Sequence, residues 1–145
     1  MSWPDPRPGL VIRYAYLWSH EAAEGREEGA KDRPCAVLLA VRTIEGEPLV
    51  YVLPITHAPP ASPADALEIP APTKRRLGLD SERSWICLTE ANSFIWPGPD
   101  LRFQPGEGPE SAAYGMLPPE LFRQVRERFR ATVLARRNTL VKRTE

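Results

Sequence analysis

Polar residues that abut apolar runs are the first candidates for chemistry, and two of them stand out. Arg33 precedes one run in Lys31-Asp32-Arg33-Pro34-Cys35-Ala36-Val37, and Thr56 ends another in Leu53-Pro54-Ile55-Thr56-His57. A guanidinium presents a fork of donors that matches phosphate oxygens, and a hydroxyl and an imidazole beside it would suit the same group. The residues also have plainer uses. Arg33 would serve equally in a surface ion pair with a nearby carboxylate, and Thr56 would serve as the end of a strand. Spacing alone leaves both readings open.

The elements that must position these residues are short. Seventeen prolines in 145 residues break the chain into pieces too brief for a helical bundle, which favours strands and loops. Leu10 to Trp18 is rich in β-branched and aromatic residues and reads as a strand. Ser19 to Asp32 is acidic and punctuated by Gly25 and Gly29; it reads as a long, mobile loop. Pro34 to Val41 is apolar on both faces, as a central strand is, and Leu49 to Ile55 follows after a turn at Gly46. If these two strands pair as a hairpin, Arg33 and Thr56 come to the same end. Leu67 to Ile69, Trp85 to Leu88 and Phe94 to Trp96 read as further short strands, and Thr73 to Leu77 as one helical turn with Thr73 as its N-cap. Phe122, Val125, Phe129 and Val133 recur at helical spacing, which predicts a final amphipathic helix.

The expected whole is one domain spanning 1–145. It divides into a β-structure over about 8–96, a loop over 97–117, a helix over about 118–137 and a frayed basic tail over 138–145. The fold class is mainly β with a C-terminal helix.

Composition narrows the function classes. An apolar fraction of 42% with 26% charged residues is that of a globular chain rather than a disordered one. Formal net charge is zero, so bulk charge names no partner. Its distribution is uneven: residues 1–110 carry 11 Lys and Arg against 16 Asp and Glu, whereas residues 111–145 carry 8 against 3. A basic final element would meet phosphates, or would simply be a solvated face. The two cysteines, Cys35 and Cys87, lie in apolar runs and make no disulfide framework. They share no ligand spacing with the two histidines, so neither a metal nor a cofactor is expected. No apolar leader and no membrane-length stretch is present, which points to a cytoplasmic protein away from membranes.

Taken together, the strand after Pro8-Gly9, the Arg33-Pro34 start of an apolar strand and the Pro54-Ile55-Thr56 ending resemble the MazF/PemK toxins. The Ile86-Cys87-Leu88 strand, the Gly115-Met116-Leu117 lead-in and the closing helix follow in the same order, so the resemblance covers roughly residues 8 to 135. It implies a small SH3-like β-barrel of the CcdB/PemK kind, acting as a homodimer. The implied activity is metal-independent cleavage of single-stranded RNA, in which the ribose 2′-OH attacks the adjacent phosphate. The products would be a 2′,3′-cyclic phosphate and a 5′-OH end. Arg33 and Thr56 match the catalytic arginine and threonine, and a cognate antitoxin would hold the enzyme inactive in a type II toxin–antitoxin system. The alternative on the same fold is a non-catalytic barrel that binds a protein target, as gyrase inhibitors do, or nucleic acid.

Four further residues belong to the expected substrate-binding set. His20-Glu21 resembles a His-Glu pair that contacts RNA in the PemK branch. His57 adjoins Thr56, but on a regular strand it faces the other way. Where the family carries a carboxylate followed by Gln, this chain has Thr89-Glu90. That one-residue displacement turns Glu90 to the opposite face of its strand. Trp18, Trp85 and Trp96 would stack on bases or fill the core.

Overall fold

A computed structural model describes residues 2–25 and 31–143. Among these residues the chain forms β1 (Leu10–Tyr14), α1 (Ser19–Ala23), β2 (Arg33–Arg42), β3 (Pro48–Thr56), β4 (Ala66–Glu68), α2 (Ala71–Leu77), β5 (Trp85–Cys87), β6 (Glu90–Ile95), β7 (Ala113–Met116), α3 (Pro119–Leu134) and β8 (Thr139–Lys142). Two short 3₁₀ turns, Pro63–Asp65 and Pro109–Ala112, complete it. Among the described residues no helix is long and apolar enough to cross a membrane.

The expected β2–β3 hairpin is present and antiparallel, turning through Thr43 to Glu47 around Gly46 at φ 88°. A register shift between Val37 and Leu39 puts a bulge in it. β3 is the organising strand. Its first half pairs with β6 and its last two residues pair with β5, so the sheet divides along it. The path β4-β5-β3-β2-β1-β7 runs between two edge strands that do not meet, with β6 and β8 branching from β3. The result is a mainly antiparallel, eight-stranded sheet with three helices; among the described residues its pairing does not close into a ring.

Both faces of the sheet are covered along the first half of β2, where Cys35, Ala36 and Val37 are buried, whereas Leu39 and Val41 in its second half are exposed. Val11, Ala36, Leu53 and Ile55 face one core, filled by Ile86, Leu88 and by Leu121, Phe122 and Val125 of α3. Alternate residues, Ile12, Cys35, Val37 and Val52, face a second core with Tyr14, Tyr16, Phe94 and Trp96. Period-two alternation thus splits each central strand between two cores.

Several expectations are corrected. The stretch read as a loop from Ser19 begins with α1, a short helix whose Glu21 carboxylate accepts the Trp18 backbone N–H at 3.0 Å. Residues 26–30 of that stretch lie outside the described residues. Helix α2 starts at Ala71, with Thr73 buried inside it rather than capping it, and Gly78 ends it at φ 73°. The loop over 97–117 contains β7, and β6 begins four residues earlier than Phe94. α3 stops at Leu134, and Val133 is exposed while Thr132 is buried against the Leu88 carbonyl.

The largest difference is the tail. After α3, Arg136 takes φ 57°, and Arg137 N–H returns to the Thr132 carbonyl, a helix-ending motif that usually carries glycine. The chain then runs parallel to β6 as β8, and Arg143, just past its end, is buried. Arg143 Nη1 donates to the Ala15 carbonyl at 2.7 Å and to Asn92 Oδ1 at 3.1 Å, and Nη2 lies 2.9 Å from Asp100. Residues expected to fray are held by tertiary polar bonds.

Candidate functional site

The β2–β3 register pairs Cys35 with Pro54, and two residues further along each strand stand Arg33 and Thr56. Arg33 also pairs with Tyr14 of β1. The hairpin therefore places the two residues at one end of neighbouring strands. Beside them opens a cavity of about 410 Å³ whose lining includes Arg33, Ile55 and His57, but not Thr56. The Thr56 hydroxyl accepts the Ala58 backbone N–H at 3.1 Å, which leaves its own proton available to donate.

Arg33 is half-buried, its guanidinium 5.0 Å from the centre of the Trp18 ring. Among the described residues it has no carboxylate partner, and its buried Nε has no hydrogen bond. Its neighbour Asp32 turns instead to Arg102, at 3.4 Å. Trp18 is held in place from below. Glu90 is buried and accepts from the Tyr16 hydroxyl at 3.1 Å, from Ser19 N–H at 2.9 Å and from the Ser19 hydroxyl at 3.1 Å. Burial, reinforced by Glu90, pushes the Tyr16 phenol up, so it remains a donor. Asn92 exchanges two bonds with the Leu17 backbone, at 2.9 and 2.8 Å. Glu90 and Asn92 thus anchor the segment that carries Trp18 to Arg33. Glu90 does not line the cavity.

His20 is exposed on α1 and Glu21 is buried there; neither lines the cavity. Trp85 and Trp96 are core residues, which leaves Trp18 as the one of the three that serves the site.

Residues not singled out from the sequence complete the cavity. Arg13 projects from the middle of β1 and is tied in four ways. Its Nη1 donates to the Tyr114 hydroxyl at 2.7 Å, its Nε to the Ser111 carbonyl at 3.1 Å and its Nη2 to Gln104 at 3.4 Å. Its guanidinium also lies 4.1 Å from the Tyr114 ring centre. Partial burial raises the Tyr114 phenol above its ordinary value. The signal for Arg13 was its place as the charged residue within Leu10-Val11-Ile12-Arg13-Tyr14.

On the far wall, Lys74 of α2 is buried, with its ammonium 2.7 Å from Asp80 Oδ1 and 2.6 Å from Ser84 Oγ, and bonded to the Glu82 carbonyl. The other Asp80 oxygen lies 2.8 Å from His57 Nε2. The Lys74 ammonium, with His57 adding to it, holds the Asp80 carboxyl below the ordinary carboxylate range. No periodicity marks Lys74 and Asp80, because their partnership is made by the turn after α2.

The cavity lining thus carries Arg13, Lys31, Arg33 and Lys74 against Asp32 and Asp80, a surplus of positive charge suited to an anion. His57, Asp80 and Glu82 also bring ligand atoms within 4.8 Å of one another. Lys74 already takes one Asp80 oxygen there, and its charge opposes a metal cation in the same place.

Replacing Lys74 with methionine is expected to cost about 2–3 kcal/mol, since three acceptors lose a charged donor. Asp80, with its folded pKa depressed, contributes stability above its unfolded value, and this is lost as pH falls through the folded value. The gap between native and Lys74→Met urea midpoints should therefore be wider at about pH 7 than at about pH 3. Equal gaps would dissociate Asp80 from the cost.

No protein-family model matches the chain, and no curated protein matches it.

Proposed function

We propose that this chain is a toxin-type, metal-independent endoribonuclease that cleaves single-stranded RNA by attack of the ribose 2′-OH on the adjacent phosphate. The observation that carries the reading is Arg33: a guanidinium at a cationic cavity, stacked on Trp18 and without a carboxylate partner among the described residues. The nearest carboxylate in sequence, Asp32, lies against Arg102 instead and leaves the Arg33 guanidinium to the cavity. Arg33 offsets the charge that develops on the phosphorane, and its fork spans two phosphate oxygens. The resemblance to the MazF/PemK toxins assigns Thr56, at the adjacent strand end but outside the cavity lining, a hydrogen bond to the same phosphate. Arg13 and Tyr114 offer a flat cationic and aromatic surface on which a neighbouring base stacks.

No basic residue of the last 35 lines this cavity, and three of the eight are held in ion pairs elsewhere. Arg123 is paired with Glu120 and Glu127, Arg137 with Asp65 and Arg143 with Asp100. Within the same reading the sheet is a variant of the small SH3-like barrel of the CcdB/PemK kind. The protein is cytoplasmic, acts as a homodimer and is restrained by an antitoxin whose acidic, disordered segment covers the cationic cavity.

The test is purified protein and an Arg33→Ala variant, each incubated with a long single-stranded RNA in EDTA. Cleavage by the native protein and its loss in the variant is the expected result. An inert native protein, or equal cleavage by both, contradicts the reading and favours a non-catalytic binder.

A further inference from the structure

The reaction proposed above needs a group to take the 2′-hydroxyl proton, and an arginine holds its own proton too tightly to do so. We propose that His57 is this base, with Asp80 and Lys74 as the residues that position it. The inference rests on the endoribonuclease reading of the same cavity.

Three observations converge on His57. It lines the cavity with Arg33, so a phosphodiester held by Arg33 lies beside it. Its Nε2 is 2.8 Å from Asp80 Oδ2. Asp80 is in turn fixed through its other oxygen by the buried Lys74 ammonium, which also binds the Glu82 carbonyl and Ser84. A carboxylate only accepts, so Nε2 of the neutral ring carries the proton and Nδ1 keeps its lone pair. Nδ1 has no hydrogen bond among the described residues. A ring held in one tautomer by a carboxylate, with its second nitrogen unbonded among the described residues and the residue lining a cationic cavity, is the arrangement a general base requires.

The step balances without a further cofactor. The O2′–P bond forms as the 2′-hydroxyl proton passes to Nδ1. The P–O5′ bond breaks, and the departing O5′ takes a proton from water, giving the cyclic phosphate and the 5′-hydroxyl. The imidazolium then returns its proton to solvent. Only the neutral ring accepts, so the rate rises with pH as imidazole loses its proton.

No other imidazole lines this cavity among the described residues. Asp80 and Glu82 beside His57, and Asp32 just before β2, are carboxylates, and the Lys74 ammonium holds that of Asp80 below its ordinary range. Lys74 of α2, Lys31 and Arg33 near the start of β2, and Arg13 of β1 are the cations that face it, and burial raises the Tyr114 phenol of β7 above its ordinary value.

The test compares native protein, His57→Ala and Asp80→Asn on single-stranded RNA in EDTA, from about pH 5 to about pH 8.5, with and without added imidazole. Thermal melting of each protein establishes that it is folded. His57→Ala is expected to lower kcat/KM by about 10²- to 10⁴-fold, to lose the acid limb and to regain activity with imidazole. Asp80→Asn should keep the limb and lose about 10- to 100-fold, less than the loss known for a buried triad aspartate because Asp80 is half-exposed. A His57→Ala protein that retains the limb overturns the inference while leaving the nuclease reading intact. So does a loss of activity that imidazole does not restore, since a purely structural histidine gives that result. In a parallel arm with Mg²⁺ in place of EDTA, cleavage that appears only with the cation assigns the cluster to that cation and overturns the inference as well. A native protein inert on RNA in both arms removes the endoribonuclease reading, and this inference with it.

Discussion

Arg33→Ala is expected to lower the rate of RNA cleavage by about 10²- to 10³-fold, the usual loss when one preorganised donor to a developing oxyanion is removed. The fold should tolerate the change. Arg33 forms no ion pair among the described residues and its buried Nε is unsatisfied, so truncation removes an orphaned donor rather than a bond. What is lost is the contact with Trp18, a half-exposed cation–π pair of about 0.5–1 kcal/mol. Arg33→Lys separates charge from shape. Lysine keeps the positive charge but not the bidentate fork, and should recover only part of the rate. A residue that serves stability would show the reverse pattern, with a lowered melting temperature and unchanged turnover. Parallel melting curves and single-turnover rates distinguish the two.

The second large effect is on stability. Arg143→Met is expected to destabilise the protein by about 3–5 kcal/mol, because it takes from the nearly buried Asp100 carboxylate its closer cation, at 2.9 Å, and leaves only Arg102 at 4.0 Å among the described residues. The Ala15 carbonyl and Asn92 Oδ1 lose a donor at the same time, and Asn92 also holds Leu17. The damage therefore reaches the segment that carries Trp18, and turnover should fall with stability. Adding Asp100→Asn to Arg143→Met should recover part of the loss, since the stranded charge is then gone. Urea denaturation of the two single variants and the double variant measures that coupling. An Arg143→Met protein as stable as the native one would mean that β8 is peripheral, contrary to the bonds it makes.

The same residue shows where the sequence was silent. Thr139–Lys142 is four residues long, preceded by a helix end in which Arg136, not glycine, takes a positive φ. Nothing local announces a strand there, because Arg143, Asn138 and the β6 ladder supply the stability from a distance. α1 was hidden for a similar reason. Its five residues are capped by their own Glu21 and followed by glycine, which reads as loop. The β2–β3 hairpin was legible because its signal is local: two long apolar runs around a glycine turn fix both the pairing and the end at which Arg33 and Thr56 meet. Half of the candidate site came with it. The other half, Arg13 with Tyr114 and Lys74 with Asp80, joins residues about 100 and 6 positions apart through tertiary packing. The alternation rule that turned His57 away from Thr56 was sound, but it was His57 and Ile55, not Thr56, that faced the cavity.

The most direct measurement is of the ends left on the RNA. Single-stranded RNA is incubated with the purified protein in EDTA, and the fragments are examined for 2′,3′-cyclic phosphate and for 5′-hydroxyl groups that accept a phosphate label without prior dephosphorylation. Attack by the neighbouring 2′-hydroxyl, with Arg33 on the phosphate, predicts both ends in equal amount and neither with Arg33→Ala. Fragments bearing 5′-phosphates, or intact RNA with the native protein, would contradict it.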